Sequence, residues 1–463
     1  MIILDFENKE QALYIQLYTQ LKKQIHKGDM KSGEKLMSKR KMAEHLGVSI
    51  NTVEAAYGQL LSEGFILSRP KSGYYVSDID EFNFIENIAL MSSNNIDNMK
   101  AKPIVDFATD GVDRHSFPYN IWRRLMKNCF NEYNADILKG YSSKGSYLLR
   151  EAIRKHIYIS RGVNCKNEQI IIGAGMDNLL NIISSLLGGK YELVMEEPVY
   201  NEAYSTFTLL GHDIRNVSVD EKGIKVSDIP DEKNIAVYIT PSHQFPLGIT
   251  MSAGRRIQLL NWTYKNDSRF IIEDDYDSEF RYNSKPMPSV QSIDSMERVI
   301  YLGTFSKTVA PSIRISYLVL PEILLEKYEK TKGHFSSPAS AFEQRVLTEF
   351  ISQGHYERHL NRMRKLYGVK RNVLLEELKK MEGIALNGEN AGHYMAVKRK
   401  GTMSETEMVE SALDKGIKVY PISKYFVKTV PEKYKSTVLI GYAELSFDEI
   451  RNGIALLKTA WEL

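Results

Sequence analysis

Apolar residues recur every fourth position near the start of the chain. Leu13, Leu17, Leu21 and Ile25, with Tyr14 and Tyr18 beside them, predict a helix with one buried stripe that Gly28 stops. Ser38 is placed to cap a short helix carrying Met42, Ala43 and Leu46 and ended by Gly47. Ser49 caps the next, whose buried face is Val53, Ala56, Tyr57, Leu60 and Leu61 and whose stop is Gly64. The two short helices meet across a tight Leu-Gly-Val-Ser turn. Phe65-Ile66-Leu67 and Tyr74-Tyr75-Val76 flank Ser-Arg-Pro-Lys-Ser-Gly, the pattern of a β-hairpin with a basic tip. Residues 79–103 include the polar run SSNNIDNMKAK and show neither strand alternation nor a sustained helical face. They read as a linker between a first domain, 1–78, and a second, 104–463.

From Pro103 onward, helical patterns alternate with short apolar runs: Ile170-Ile171-Ile172, Leu193-Val194-Met195, Ala236-Val237-Tyr238-Ile239, Phe270-Ile271-Ile272 and Val299-Ile300-Tyr301-Leu302. Strands apolar on both faces and separated by helices predict a mostly parallel α/β sheet. Beyond about residue 335 the pattern is mainly helical with a few strands, which predicts a smaller α+β lobe.

Composition narrows the function classes. The 463 residues carry a formal charge of +3, with 43% hydrophobic and 26% charged residues, which excludes a disordered, collagen-like or supercharged chain. Cys129 and Cys165 lie far apart and outside any C-x-x-C, which argues against a disulfide framework or a cysteine-based zinc site, and no metal is expected. The N-terminus lacks a signal-peptide pattern, and the most apolar stretch, 170–189, is interrupted by Asp177, Asn178 and Asn181, so a cytoplasmic protein is expected.

Charge is concentrated where the two short helices begin. Lys22, Lys23, Lys27, Lys31, Lys35, Lys39, Arg40 and Lys41 stand against only Asp29 and Glu34 between residues 22 and 41. Phosphate contacts need such a local excess rather than a high global charge. A helix-turn-helix followed by a hairpin wing is a geometry that puts one helix into a major groove of double-stranded DNA. The segment KLMSKRKMAEHLGVSINTVEAAYGQLLSEGFILSRPKSGYYV resembles the winged-helix domain of GntR-type bacterial transcription regulators. The resemblance implies DNA contacts from Ser38, Lys39 and Arg40, from Ser49, Asn51 and Thr52 at the start of the recognition helix, and from Arg69, Lys71 and Gly73 in the wing. Met37 replaces the family's usual proline, and Ile50 stands where an arginine commonly touches DNA, which implies an altered operator preference.

The second domain carries a different chemistry. The strand Val299–Leu302 leads into Gly-Thr304-Phe-Ser306-Lys307, with Arg314 seven residues after the lysine. A lysine at a strand end can form a Schiff base with a cofactor aldehyde, while hydroxyls and a guanidinium fork suit a phosphate dianion. Upstream, Phe270-Ile-Ile-Glu-Asp274-Asp275-Tyr276 is an apolar strand ending in carboxylates, and a fixed carboxylate keeps a pyridine nitrogen protonated. Ile170–Ile172 runs into Gly173-Ala-Gly175-Met176-Asp177 and a helix, offering backbone N–H groups to phosphate. Glu197-Pro-Val-Tyr200 follows a further strand and supplies an aromatic ring.

These features in this order resemble fold-type I, aspartate-aminotransferase-like proteins that bind pyridoxal 5'-phosphate (PLP). The resemblance implies Lys307 as the Schiff-base lysine, Asp274 as partner of the pyridine nitrogen, Tyr276 at the phenolic oxygen and Tyr200 stacked on the ring. It places Gly175, Met176, Thr304, Ser306 and Arg314 at the phosphate. The Pro-Ser-His-Gln-Phe-Pro-Leu-Gly run at 241–248 takes the place of the aminotransferase Asn-Pro-x-Gly element and lacks its asparagine. PSHQFP and EDDYDSEF together, behind a winged helix, resemble the MocR/GabR group of GntR regulators over essentially the whole chain. That group implies a head-to-tail, domain-swapped homodimer in which PLP and an amine effector control transcription.

Two classes therefore stand side by side: a DNA-binding sensor that reuses an aminotransferase fold without turnover, and a working aminotransferase with an appended winged helix. The absent asparagine and the complete winged helix favour the sensor, with a residual half-reaction open. GABA-responsive members of the resembled group hold the ligand carboxylate with two arginines; at the same offsets this chain has Glu202 and Lys424. A carboxylate and a lysine do not reproduce two guanidinium forks. The expected effector is therefore PLP itself or an amine with a different polar end, such as another amino acid or a dipeptide.

Overall fold

The computed structural model describes residues 4, 12–26, 28–70, 72–77, 103–130, 137–282 and 287–462, so Lys71 and all of the linker except Pro103 lie outside the described residues. The chain divides into two compact units, Met1–Ala101 and Lys102–Leu463.

The first unit comprises α1 (Leu13–His26), α2 (Lys39–Leu46), α3 (Ile50–Ser62), β1 (Ile66–Arg69) and β2 (Gly73–Val76). Leu17, Leu21 and Ile25 pack with Val53, Ala56, Tyr57 and Leu60 in one core. The buried stripe is narrower than the apolar pattern, because Tyr14 and Leu61 are exposed. Each adjoins a more buried leucine, and adjacent helical residues diverge by about 100°, so the two cannot face the same core. Ser38 caps α2 by accepting the Lys41 N–H at 3.3 Å, and Ser49 caps α3 by accepting that of Thr52 at 3.1 Å. β1 and β2 pair antiparallel from Ile66↔Val76 to Arg69↔Gly73. The other edge of β2 is held to the segment before α2: Leu36 N–H donates to Tyr74 at 2.9 Å and Val76 N–H to Glu34 at 2.9 Å. The hairpin is thereby fixed in orientation against the helices.

The second unit begins with β3 (Val105–Asp106) and continues through β4 (Ile170–Gly173), β5 (Glu192–Glu197), β6 (Ile214–Asp220), β7 (Gly223–Ile224), β8 (Ile235–Ile239), β9 (Arg269–Asp275), β10 (Val299–Thr304) and β11 (Ser316–Val319). The large sheet has the order β4-β11-β10-β9-β8-β5-β6-β7. Strands β10, β9, β8, β5 and β6 run parallel, whereas β11 is antiparallel to both β10 and β4. Every residue of β4, β8, β9 and β11 is buried, which is why their apolar stretches, such as Ile170–Ile172 and Phe270–Ile272, run unbroken rather than alternate.

The smaller lobe contains β12 (Ile384–Asn387), β13 (Tyr394–Arg399), β14 (Ile417–Lys418), β15 (Tyr420–Pro421) and β16 (Thr437–Gly441). Four of these form an antiparallel sheet, β12-β13-β16-β15, while β14 pairs in parallel with β3. The lobe thus takes in residues 105–106 as well as the C-terminal part of the chain. Among the described residues, no helix is long and apolar enough to cross a membrane.

Candidate functional site

Alternation along β9 separates three consecutive acids. Asp274 points to one face of the sheet, where the Tyr238 hydroxyl from neighbouring β8 donates to its Oδ2. Asp275 points to the other, where Arg161 Nε donates to it at 2.6 Å and the Tyr301 hydroxyl at 2.6 Å. Glu273, on that same opposite face, accepts the Val290 and Gln291 N–H groups at 2.8 and 2.9 Å. Burial pushes the Asp274 carboxyl up to about 7 against the Tyr238 bond, and the neighbouring carboxylates add to the rise. Burial would also raise Asp275, but the Arg161 guanidinium and its hydroxyl partners outweigh it and hold that group below its usual range. Asp274 is 1% exposed and its Oδ1 has no hydrogen-bond partner.

Asp274, Lys307, Tyr276, Tyr200, Met176, Thr304, Ser306, Arg314, Glu202 and Lys424 all line one cavity of about 480 Å³. Lys307 Nζ donates to the Thr109 carbonyl at 3.4 Å, and desolvation in the cavity wall lowers its ammonium from the ordinary lysine value. The rings of Tyr200 and Tyr276 are parallel within 4°, with centroids 6.5 Å apart. The Tyr276 hydroxyl donates to the His243 carbonyl at 2.8 Å.

At the other end of the cavity, β4 ends at Gly173 and the helix Met176–Leu187 begins behind Gly175. Gly175 has φ of +93°, and a Cβ there would lie 2.6 Å from the Arg314 guanidinium. A φ of that sign favours glycine. Arg314 itself adopts a left-handed φ of 51° and donates to Asp177 at 2.8 Å, bringing its guanidinium to the helix N-terminus. Thr304 Oγ1 accepts from the Ser306 N–H at 3.1 Å and the Ser316 hydroxyl at 2.8 Å, which orders the turn that presents Lys307.

Several residues at this site escaped the sequence reading. Tyr238 lies within an apolar run that registers only as a strand, though a phenol in a fully buried strand calls for a polar partner. His243 and Asp277 lie inside the PSHQFP and EDDYDSEF runs, and His243 Nδ1 meets Asp277 Oδ2 at 2.7 Å. Arg161 ties the 241–248 turn to β9 by donating to the Ser242 hydroxyl at 2.6 Å as well as to Asp275. Phe245, at the position of the absent asparagine, packs edge-on to Tyr200 with centroids 5.5 Å apart. Asp110, His393 and Tyr394 also line the cavity and carry no local sequence signal.

In the first unit, Arg40 and Asn51 are exposed at the starts of α2 and α3. The basic surface is smaller than the sequence count suggests. Lys39 is bound to Glu54 at 2.5 Å and Lys22 to Glu63 at 2.8 Å, because the packing of α3 brings Glu54 and the residue after its last turn, Glu63, to those lysines. The Ser38 and Ser49 hydroxyls serve as helix caps, and Thr52 Oγ1 lies 2.9 Å from that of Ser49. Arg69 lies over the Tyr75 ring at 4.5 Å. Gly73 has φ of +114°, so its part in the wing is the turn itself. Ile50 is 45% exposed at the N-terminus of α3.

Fold and site together define a winged-helix DNA-binding module joined in one chain to an aminotransferase-like domain. The family described as aminotransferase class I and II matches residues 103–455, and the family of bacterial regulatory proteins, gntR, matches residues 13–76. The chain is 40% identical over 453 residues to the HTH-type transcriptional regulator YdeL of Bacillus subtilis, covering 97% of each. It is 30% identical over 478 residues to the probable rhizopine catabolism regulatory protein MocR of Rhizobium meliloti, covering 100% of this chain and 96% of that one. Among solved structures, the kynurenine aminotransferase of Pyrococcus horikoshii in complex with PMP matches with a TM-score of 0.69 at 26% identity, over 81% of this chain and 93% of that one. The chain belongs to the MocR-type HTH transcription regulators, in which a GntR winged helix is fused to an aminotransferase class I/II domain.

Proposed function

We propose that this chain is a transcription regulator whose aminotransferase-like domain holds PLP and senses either that cofactor or an amine effector. The observation that carries this reading is a buried carboxylate with one unpaired oxygen, Asp274 Oδ1, lining the same cavity as the Lys307 amine. The donor set fits the group. A protonated pyridine nitrogen would supply the positive partner that burial denies Asp274, and the Gly175 gap beside Arg314 suits a phosphate that needs backbone approach and a guanidinium.

When bound, PLP supplies an aldehyde that captures primary amines. Lys307 would hold that aldehyde, and the desolvation that lowers its ammonium eases the loss of the proton that a nucleophilic amine must give up. Asp274 would keep a proton on the pyridine nitrogen, with Tyr238 fixing the carboxylate's orientation. Tyr276 would bond the phenolic oxygen, and Tyr200 would stack on the ring. Gly175, Met176, Thr304, Ser306 and Arg314 would hold the phosphate. In this reading two chains pair head to tail, so that two winged helices meet promoter DNA together.

Glu202 and Lys424 line the outer part of the cavity and are assigned to the effector. Glu202 would repel an anionic ligand end, so GABA is expected to be a poor effector. Titrating the PLP-loaded full chain on promoter DNA with a panel of amines checks this, and a strong, specific GABA response would remove the assignment. Within the first unit, Arg40→Ala is expected to weaken DNA binding across sequences and to reduce the salt slope by about 1, while Asn51→Ala costs about 1–3 kcal/mol at one base position. Competition binding on an operator and its point variants separates the two effects.

A second reading, turnover as an aminotransferase, draws on the same cavity. Phe245 in place of an asparagine sets the sensor first. Sustained exchange between amino acids and keto acids, with no effect of amines on DNA binding, would replace the first reading by the second.

A further inference from the structure

The cavity is lined by more acids than bases. Asp177 is paired with Arg314 at 2.8 Å, Asp277 with His243 at 2.7 Å, and Asp274 with the Tyr238 hydroxyl. Asp110 and Glu202 line the same cavity and form no salt bridge among the described residues; both carboxylates raise the Lys307 ammonium against its desolvation. Lys424 is the converse case: its ammonium has no carboxylate partner there and lies over the rings of Tyr420 and Tyr425, at 5.1 and 5.0 Å. These three charges line one cavity. Burial raises the Tyr425 phenol, and the carboxylates of Glu202 and Asp110 raise it further, so both acids act on the ring that Lys424 covers.

An independent observation points to a ligand. His393 is 2% exposed, lines the cavity, and its Nε2 has no hydrogen-bond partner. Burial, and after it the nearby Lys307 charge, hold this imidazole well below its ordinary range, in the wall of the cavity that Lys307 also lines. A ligand that satisfies all of these groups carries one anionic and one cationic group besides the amine that faces Lys307.

We propose that the effector is a diamino acid: its carboxylate meets Lys424, its side-chain ammonium lies between Asp110 and Glu202, and its α-amine faces Lys307 beside His393. Its distal ammonium answers the two acids and its carboxylate answers Lys424, while its α-amine is the group that a cofactor aldehyde at Lys307 would take. An amino acid with a neutral side chain leaves Asp110 and Glu202 unmatched, and one with a second carboxylate is repelled by them. The inference rests on the reading of this cavity as an effector site next to PLP.

Calorimetric titration of the PLP-loaded full chain with three six-carbon amino acids tests it: L-lysine, L-norleucine and L-2-aminoadipate, which share the α-groups and differ in distal charge. Lysine is expected to bind at least about tenfold more tightly than norleucine, with aminoadipate weakest. In the double variant Asp110→Asn/Glu202→Gln the lysine preference should shrink to within about twofold, and Glu202→Arg should reverse the order of lysine and aminoadipate. Equal binding of lysine and norleucine to the PLP-loaded natural chain would overturn this inference alone, as would a lysine preference that survives the double substitution. A chain that fails to hold PLP yet still ranks lysine first would instead overturn the cofactor reading and keep this one.

Discussion

Replacing Lys307 by alanine is expected to abolish the visible absorbance of the PLP-loaded chain and, with it, any response of DNA binding to amines. The lysine stands just past β10, where the Thr304–Ser306 turn orders the chain and desolvation in the cavity wall lowers its ammonium. Among the described residues of the cavity, the other amine is Lys424, which lies over two tyrosine rings. Without Lys307, the Asp274 carboxylate and the phosphate groups are left to hold the cofactor non-covalently, and dialysis should remove it. Lys307→Arg should behave the same way, because a guanidinium keeps a positive charge but stays protonated and is no nucleophile. Absorbance spectra before and after dialysis decide the matter; a Lys307→Ala chain that retains the band would show that the covalent assignment is wrong.

The second large effect concerns DNA. The full chain is expected to bind paired half-sites about 10²–10⁴-fold more tightly than the segment 1–78 binds the same DNA, because two modules held on the proposed dimer would raise each other's effective concentration. The binding should also fall steeply with salt, log affinity against log salt having a slope of about −0.9 for each phosphate neutralised. Lys39 and Lys22 are committed to Glu54 and Glu63, so the slope should reflect fewer lysines than the basic run contains. Fluorescence anisotropy over a range of salt concentrations measures both quantities. Equal affinity of segment and full chain for one operator would mean that dimerisation contributes nothing to DNA binding.

The two units differ in how readily their sequences disclose them. The winged helix is written in local signals: Ser38 and Ser49 cap the helices the apolar spacing predicts, Gly47 ends one of them, and the hairpin forms where Ser-Arg-Pro-Lys-Ser-Gly interrupts two apolar runs. Caps and turns involve residues a few positions apart, so chain order exposes them. The over-count came where packing decides, at Tyr14, Leu61 and Lys39, each of which depends on what the neighbouring element presents.

For the candidate site, the sequence by itself determined that Asp274, Lys307 and Gly175 stand at strand ends, because the apolar runs that precede them fix where each buried strand stops. The structure sets Asp274 on the opposite face from Glu273 and Asp275, as the alternation of side chains along a strand requires. Only the tertiary structure decided that Tyr238 is the donor to Asp274, that Arg161 anchors Asp275 and the 241–248 turn, and that Asp110 and His393 share a cavity with Lys424. Those contacts join segments dozens to hundreds of residues apart, brought together by sheet order and by β3 pairing with β14 in the smaller lobe. Hydrophobic periodicity reports which face of an element is buried, but carries no information about which distant side chain that face will meet.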